Sequence, residues 1–142
     1  PIFLFDPIRR AVGLVHAGWK GTVDKVVQIA VQAMGQRYRT RPQDVLAGIG
    51  PSIGAHHYPV GADVAEQVQR SFGMDAAALL PTSEDGSEMQ FDLWAANCLL
   101  LEDVGVRQIE VSGFCTACNV DDWFSHRAEN GRTGRFGALI GL

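Results

Sequence analysis

Ile2-Phe3-Leu4-Phe5-Asp6-Pro7-Ile8-Arg9-Arg10-Ala11-Val12-Gly13-Leu14-Val15-His16-Ala17-Gly18-Trp19-Lys20-Gly21 is the stretch that decides the fold. Residues 2–5 and 11–15 are two short apolar runs, and the Asp6-Pro7 pair between them favours a turn. That pattern predicts a β-hairpin. An antiparallel start argues against a purely parallel sheet. The second run ends in His16, and Gly18 and Gly21 then bracket Trp19 and Lys20 ahead of a helical pattern. Ligands collect at such strand ends in α/β structures, and glycine lets backbone come close to them. Two readings of His16 stay open here. It is a metal ligand or general base, or it is a packed histidine in a tight strand-to-helix turn.

Beyond this stretch the period changes. Val23, Val26, Val27, Ala30, Val31 and Met34 share one helical face, with Thr22 as the expected cap and Gly35 near the expected end. Its β-branched residues weaken intrinsic propensity, so packing must hold this helix. Pro42-Gln43-Asp44 breaks the chain before a short strand at 45–49. Residues 50–58 form a glycine-rich loop carrying His56 and His57, without the Gly-Lys-Ser/Thr of a P-loop. Helical spacing returns over 60–72, with Gly73 as the stop, and again briefly over 75–80. Residues 81–88 are polar and loop-like. Asp92 is placed to cap a helix through Leu93, Ala96, Leu100 and Val104. Alternation over 107–112 predicts a strand, and 136–142 are expected to close the chain as a small apolar one. The class is α+β, with interleaved helices and a mixed sheet. A length of 142 residues suits a single domain, 1–142.

Composition excludes several classes of function. Apolar residues make up 46% and charged residues 20%, as in ordinary globular proteins. A net charge of −4 argues against a nucleic-acid partner. No apolar run is long enough for a membrane span, and the chain opens on a strand pattern rather than a secretory signal. Its three cysteines, Cys98, Cys115 and Cys118, are too few and odd in number for a disulfide framework. A reducing cytoplasm is the expected compartment. Cys98 reads as a packed thiol within an apolar run.

Several residues carry chemistry. Cys115-Thr116-Ala117-Cys118 has CxxC spacing, but one such pair without a second is a weak zinc signal. His56 and His57 are adjacent, so on an extended segment they would point opposite ways and at most one would join a shared site. Cys115 and His16 are a candidate nucleophile and base. Arg37, Arg39 and Arg41 are expected to coat a helix end. Arg127, Arg132 and Arg135 sit before the final run and either bind an anion or line a solvated loop. His126 reads as a loop histidine.

His16-Ala17-Gly18-Trp19-Lys20-Gly21, Gly50-Pro51-Ser52-Ile53-Gly54, Phe91-Asp92-Leu93-Trp94-Ala95-Ala96-Asn97, Cys115-Thr116 and Phe124-Ser125-His126-Arg127 through Thr133-Gly134-Arg135 stand in a telling order. That order resembles the YfiH/DUF152 family, also called the multicopper polyphenol oxidase (laccase-like) family. The resemblance runs from His16 to the end of the chain. It implies a mixed α/β sandwich of the YfiH-like, cysteine-hydrolase-like type. It also implies a zinc-dependent purine nucleoside phosphorylase acting on adenosine, inosine and methylthioadenosine, with accessory adenosine deaminase activity. Its partners would be small molecules, a purine nucleoside and phosphate. The implied zinc (copper is the alternative metal) is held by two histidines and one cysteine, and His16 matches one of those histidines. The other two ligands lie upstream in the family, in Gln-Val-His-Gly-like and Thr-Ala-Asp-Cys-like stretches that these residues do not include. The expectation is therefore an N-terminally truncated YfiH-like domain, in which Cys98, Cys115 and Cys118 do not take the missing cysteine's place.

Lys20 stands where the family usually has arginine, which keeps the charge and loses the fork. His56-His57 also departs from many members. Charge and position, rather than the resemblance, nominate Lys20, Arg127 and Arg135 as the substrate-phosphate donors. Three other readings compete. A cysteine hydrolase-like enzyme would use the upstream cysteine. A copper-dependent polyphenol oxidase needs many histidines, and this chain has four. The last reading is a structural domain without activity.

Overall fold

Strand β1 (Ile2–Asp6) is hydrogen-bonded along both edges, antiparallel to β2 (Ala11–Val15) on one side and to β3 (Leu46–Ile49) on the other. The computed structural model describes residues 1–142, and they divide into two compact units. The first comprises Pro1–Gly50, Asn97–Ser112 and Gly137–Leu142; the second comprises Pro51–Ala96 and Gly113–Phe136. In the first unit, β4 (Gln108–Val111) pairs parallel with β3, giving the sheet order β2-β1-β3-β4. The predicted hairpin and mixed sheet are both present. Asp6 closes the hairpin: its Oδ1 accepts the backbone N–H groups of Ile8 and Arg9 at 2.9 Å each. Burial pushes the Asp6 carboxyl up, but these donors, Arg9 foremost, hold it below its ordinary value.

Helical residues following β2 pack back against that strand. The 22–35 pattern resolves into two pieces, α1 (Trp19–Val23) and α2 (Val26–Tyr38), with Lys25 left-handed between them at φ 58°. Thr22 is thus no cap. It is fully buried inside α1, and its hydroxyl accepts Asn97 Nδ2 at 3.0 Å. Val27, Val31 and Met34 form the buried face of α2. A Cβ at Gly13 of β2 would stand 3.1 Å from Met34 Sδ, so the missing side chain is what lets helix and strand approach. Gly35 lies within α2, which ends instead at Arg39, left-handed at φ 59°. Arg41 forks onto Asp44 at 2.7 and 3.0 Å, as expected for arginines coating a helix end.

The run at 136–142 forms no strand. Gly137 and Gly141 weaken its β propensity, and Leu139 and Leu142 stay exposed, so no burial specifies a register.

The second unit has its own core. Helix α3 (Ala62–Phe72) buries Ala65, Val68 and Phe72 and stops at Gly73, where φ is +58°. Helix α4 (Ala76–Leu79) adds Ala76 and Leu79, and Phe91 is fully enclosed. The loop at 81–88 is laced by Asp85, which accepts Ser83 Oγ at 2.6 Å, Ser87 N at 3.0 Å and Ser87 Oγ at 2.8 Å. Helix α5 (Leu93–Asp103) begins in the second unit and ends in the first. Asp92 caps it as the sequence predicts, accepting Ala95 N at 2.9 Å.

Replacing this cap, Asp92→Ala, is expected to lower stability by about 1 kcal/mol in urea unfolding, the usual worth of a side-chain cap. The Ser83 hydroxyl and the Ser87 donors pull Asp85 down to about 2. The ionised form is the bonded form, so the lacing holds above that pH and is lost as pH falls through it. An NMR titration of the Asp85 carboxyl carbon should show a midpoint near 2; a midpoint at the ordinary aspartate value would contradict the lacing.

Candidate metal centre

The segment after β3 and the segment after β4 meet in a short parallel bridge within the second unit. Ser52 N donates to Phe114 O at 3.2 Å and Thr116 N donates to Ser52 O at 3.1 Å, which sets Ser52 beside Cys115. Trp94 of α5 braces the bridge by donating its indole N–H to Ser52 Oγ at 2.7 Å. Beyond Ser52 the chain makes a 3₁₀ turn at Ala55–His57. Beyond Cys115 it makes a turn closed by Asn119, whose Nδ2 donates to Cys115 O at 2.8 Å.

These two turns bring His56, His57, Cys115 and Cys118 together, their ligand atoms all within 4.8 Å of one another. Cys118 Sγ lies 3.2 Å from His56 Nε2 and 3.4 Å from His57 Nδ1. Cys115 Sγ lies 3.7 Å from His57 Nδ1 and accepts the backbone N–H of Gly54 at 3.2 Å. None of the three cysteines of the chain is in a disulfide. The expectation that adjacent histidines diverge fails because the segment is not extended. In a 3₁₀ turn the rings fan out from one side, their centroids 4.6 Å apart. Gly54 makes room for this: a Cβ there would stand 2.6 Å from His56 Cε1. The CxxC pair finds its partners in two histidines some sixty residues away. The clue in the sequence was the coincidence of a His-His step in a glycine-rich loop with a lone CxxC.

Cys115 is buried, while Cys118 and both histidines are exposed. Burial pushes the Cys115 thiol up, but the N–H groups of Gly54, Cys118 and Ala117 and the Cys118 thiol bring it below its ordinary value. Burial and the neighbouring Cys115 sulfur raise Cys118. A paired set of two sulfurs and two imidazole nitrogens is chemistry suited to a thiophilic divalent cation.

The other nominated residues lie elsewhere. His16 follows β2 in the first unit and is exposed, which removes the reading of a packed core histidine. It is not among the four clustered ligands, and Cys115 has His57, not His16, as its imidazole neighbour. Lys20 is exposed on α1, with its Nζ 5.5 Å from the Trp19 ring centroid. Arg127 donates to Pro59 O at 2.7 Å and stacks on Tyr58, 4.8 Å from the ring centroid. Arg135 donates to Gly134 O at 2.8 Å. Cys98 is half-buried on α5, and His126 is an exposed loop residue.

The fold is an α+β arrangement carrying a compact His/Cys constellation able to hold a metal. The chain belongs to the family described as multi-copper polyphenol oxidoreductase laccase, whose pattern matches residues 1–142. It is 38% identical to purine nucleoside phosphorylase YlmD of Bacillus subtilis, an alignment covering 100% of this chain and 51% of that protein. A purine nucleoside phosphorylase of Deinococcus radiodurans is 40% identical, with 53% of its length covered. Among solved structures, a hypothetical protein YfiH from Bacillus licheniformis superposes with a TM-score of 0.86 at 36% identity, covering 94% of this chain and 50% of that one. YlmD from Geobacillus stearothermophilus gives 0.84 at 35% identity, with 94% and 50% covered. The chain thus spans about half the length of the curated relatives it matches. No helix is long and apolar enough to cross a membrane.

Burial raises the Tyr58 phenol, and the Arg127 charge partly offsets this. Arg127→Met removes the charge while keeping bulk. Ultraviolet phenolate titration should therefore show one tyrosine ionising at higher pH than in the unaltered protein. An unchanged curve would place Arg127 away from Tyr58.

Proposed function

We propose that the protein carrying this chain is a purine nucleoside phosphorylase of the laccase-like family. The observation that carries this reading is the match over the whole chain to relatives bearing that name. The reaction joins a phosphate oxygen to the anomeric carbon of the ribose and breaks its bond to the purine nitrogen. The bonding pair leaves with the base, which takes up a proton, and ribose 1-phosphate remains. Inosine, adenosine and methylthioadenosine are the proposed substrates, and deamination of adenosine is the proposed second activity.

His16 stands exposed at the end of β2, on the turn that the Gly18 and Gly21 spacing allows, so its imidazole is free to meet a ligand. The family's metal at this position needs two further ligands, which the resemblance places upstream and these residues do not supply. On their own the residues present do not complete that site. Zinc rather than copper is the proposed ion. Lys20, Arg127 and Arg135 are the proposed phosphate donors. Fixed cations of this kind lower the barrier by stabilising the charge on the transferring oxygens. Arg127 suits the role because its anchoring to Pro59 and Tyr58 restricts its side chain before phosphate arrives.

The test is incubation of the complete protein, including whatever precedes Pro1, with inosine and inorganic phosphate. Hypoxanthine and ribose 1-phosphate should appear in equal amounts. Absence of free base with phosphate present would overturn the reading. His16→Ala should lower kcat/KM by about a hundredfold or more, the range for loss of a positioned catalytic imidazole.

A further inference from the structure

We propose that His56, His57, Cys115 and Cys118 form a closed tetrahedral site for a zinc-class divalent cation, one that does not include His16. Tetrahedral zinc, with bonds of about 2.3 Å to sulfur and 2.0–2.1 Å to nitrogen, sets its ligand atoms about 3.3–3.8 Å apart. The sulfur–nitrogen separations of 3.2, 3.4 and 3.7 Å already bracket the corresponding edge. No pair of ligand atoms is wider than 4.8 Å, so small side-chain rotations close the cage.

The chemistry balances without a redox partner. Cys115 and Cys118 bind as thiolates and release their protons to solvent. His56 binds through Nε2 and keeps its proton on Nδ1, whereas His57 binds through Nδ1 and keeps its proton on Nε2. Two thiolates and one divalent cation sum to zero charge, and an S₂N₂ set selects zinc over magnesium or calcium. Four protein ligands leave no open coordination position, which marks the site as structural rather than catalytic. Its effect is to staple the 3₁₀ turn at Ala55–His57 to the turn at 115–118, both within the second unit.

The experiment loads metal-free, reduced complete protein with Co²⁺ alone and follows thiolate-to-metal charge transfer and the intense visible bands of tetrahedral cobalt. Both should appear, and both should persist in His16→Ala. The double variant His56→Ala/His57→Ala and the single variant Cys118→Ser alter exposed residues, so the core is spared if buried Cys115 proves intolerant of change. Each should weaken binding at least about a hundredfold, more than loss of an outer partner causes. Because the upstream family site also carries a cysteine, the comparison is made within the His16→Ala background: thiolate-band intensity that the double histidine change leaves undiminished there would overturn the proposal. So would the absence of these bands from the unaltered protein, or a Cys115–Cys118 disulfide in protein kept reduced throughout purification. Because inosine plays no part in these readouts, their failure is distinguishable from failure of the phosphorylase assay.

Discussion

The parallel bridge of Ser52 to Cys115 is the constraint on which the His/Cys constellation depends, and within the first unit β3 and β4 also pair in parallel. Parallel neighbours run in the same direction, so both strands finish at the same end of the sheet. Ile49 opposes Val111, and Ser112 N still donates to Ile49 O at 2.9 Å where the strands end. Pairing then resumes at Ser52 and Cys115. β1 makes this arrangement possible by binding both β2 and β3, which leaves β3 one free edge for β4.

Side-chain chemistry adds to what the backbone begins. The Gly54 N–H on Cys115 Sγ stabilises a thiolate without spending another side chain, and the absent Cβ at the same residue admits the His56 ring. One glycine thus serves sulfur and imidazole together. Trp94 braces Ser52 from α5, the helix whose start Asp92 caps. Exposed turns have few apolar contacts to hold them, and cross-links by metal are one way such segments gain order.

Much of the fold was legible because local signals agreed with it. The hairpin, α3 with its Gly73 stop, the capped start of α5 and the strand at 108–111 all carry clear period and punctuation. Where tertiary demands prevailed, the sequence misled. Thr22 has the chemistry of a cap, but its hydroxyl serves Asn97 in the interior. The face from Val23 to Met34 is continuous in projection, yet the backbone breaks at Lys25, a residue with no special liking for left-handed φ. The terminal apolar run reads as a strand only if burial on a sheet is assumed, and here it pairs with no strand and leaves Leu139 and Leu142 exposed. His16 drew notice from its strand-end position, and it is exposed there. The four-ligand cluster was not legible, because adjacent histidines look divergent until the turn that carries them is known.

Within the second unit, His56, His57, Tyr58 and Pro59 are consecutive, and the last two hold Arg127. A clamp on the histidines therefore restrains the backbone that carries both anchors of the guanidinium. Fixing Pro59 O and the Tyr58 ring lowers the entropy Arg127 would lose on meeting the phosphate proposed for it. A closed cage suits that role, since it holds geometry and leaves no coordination position to compete for phosphate. His16, exposed at a strand end, lies outside this cluster.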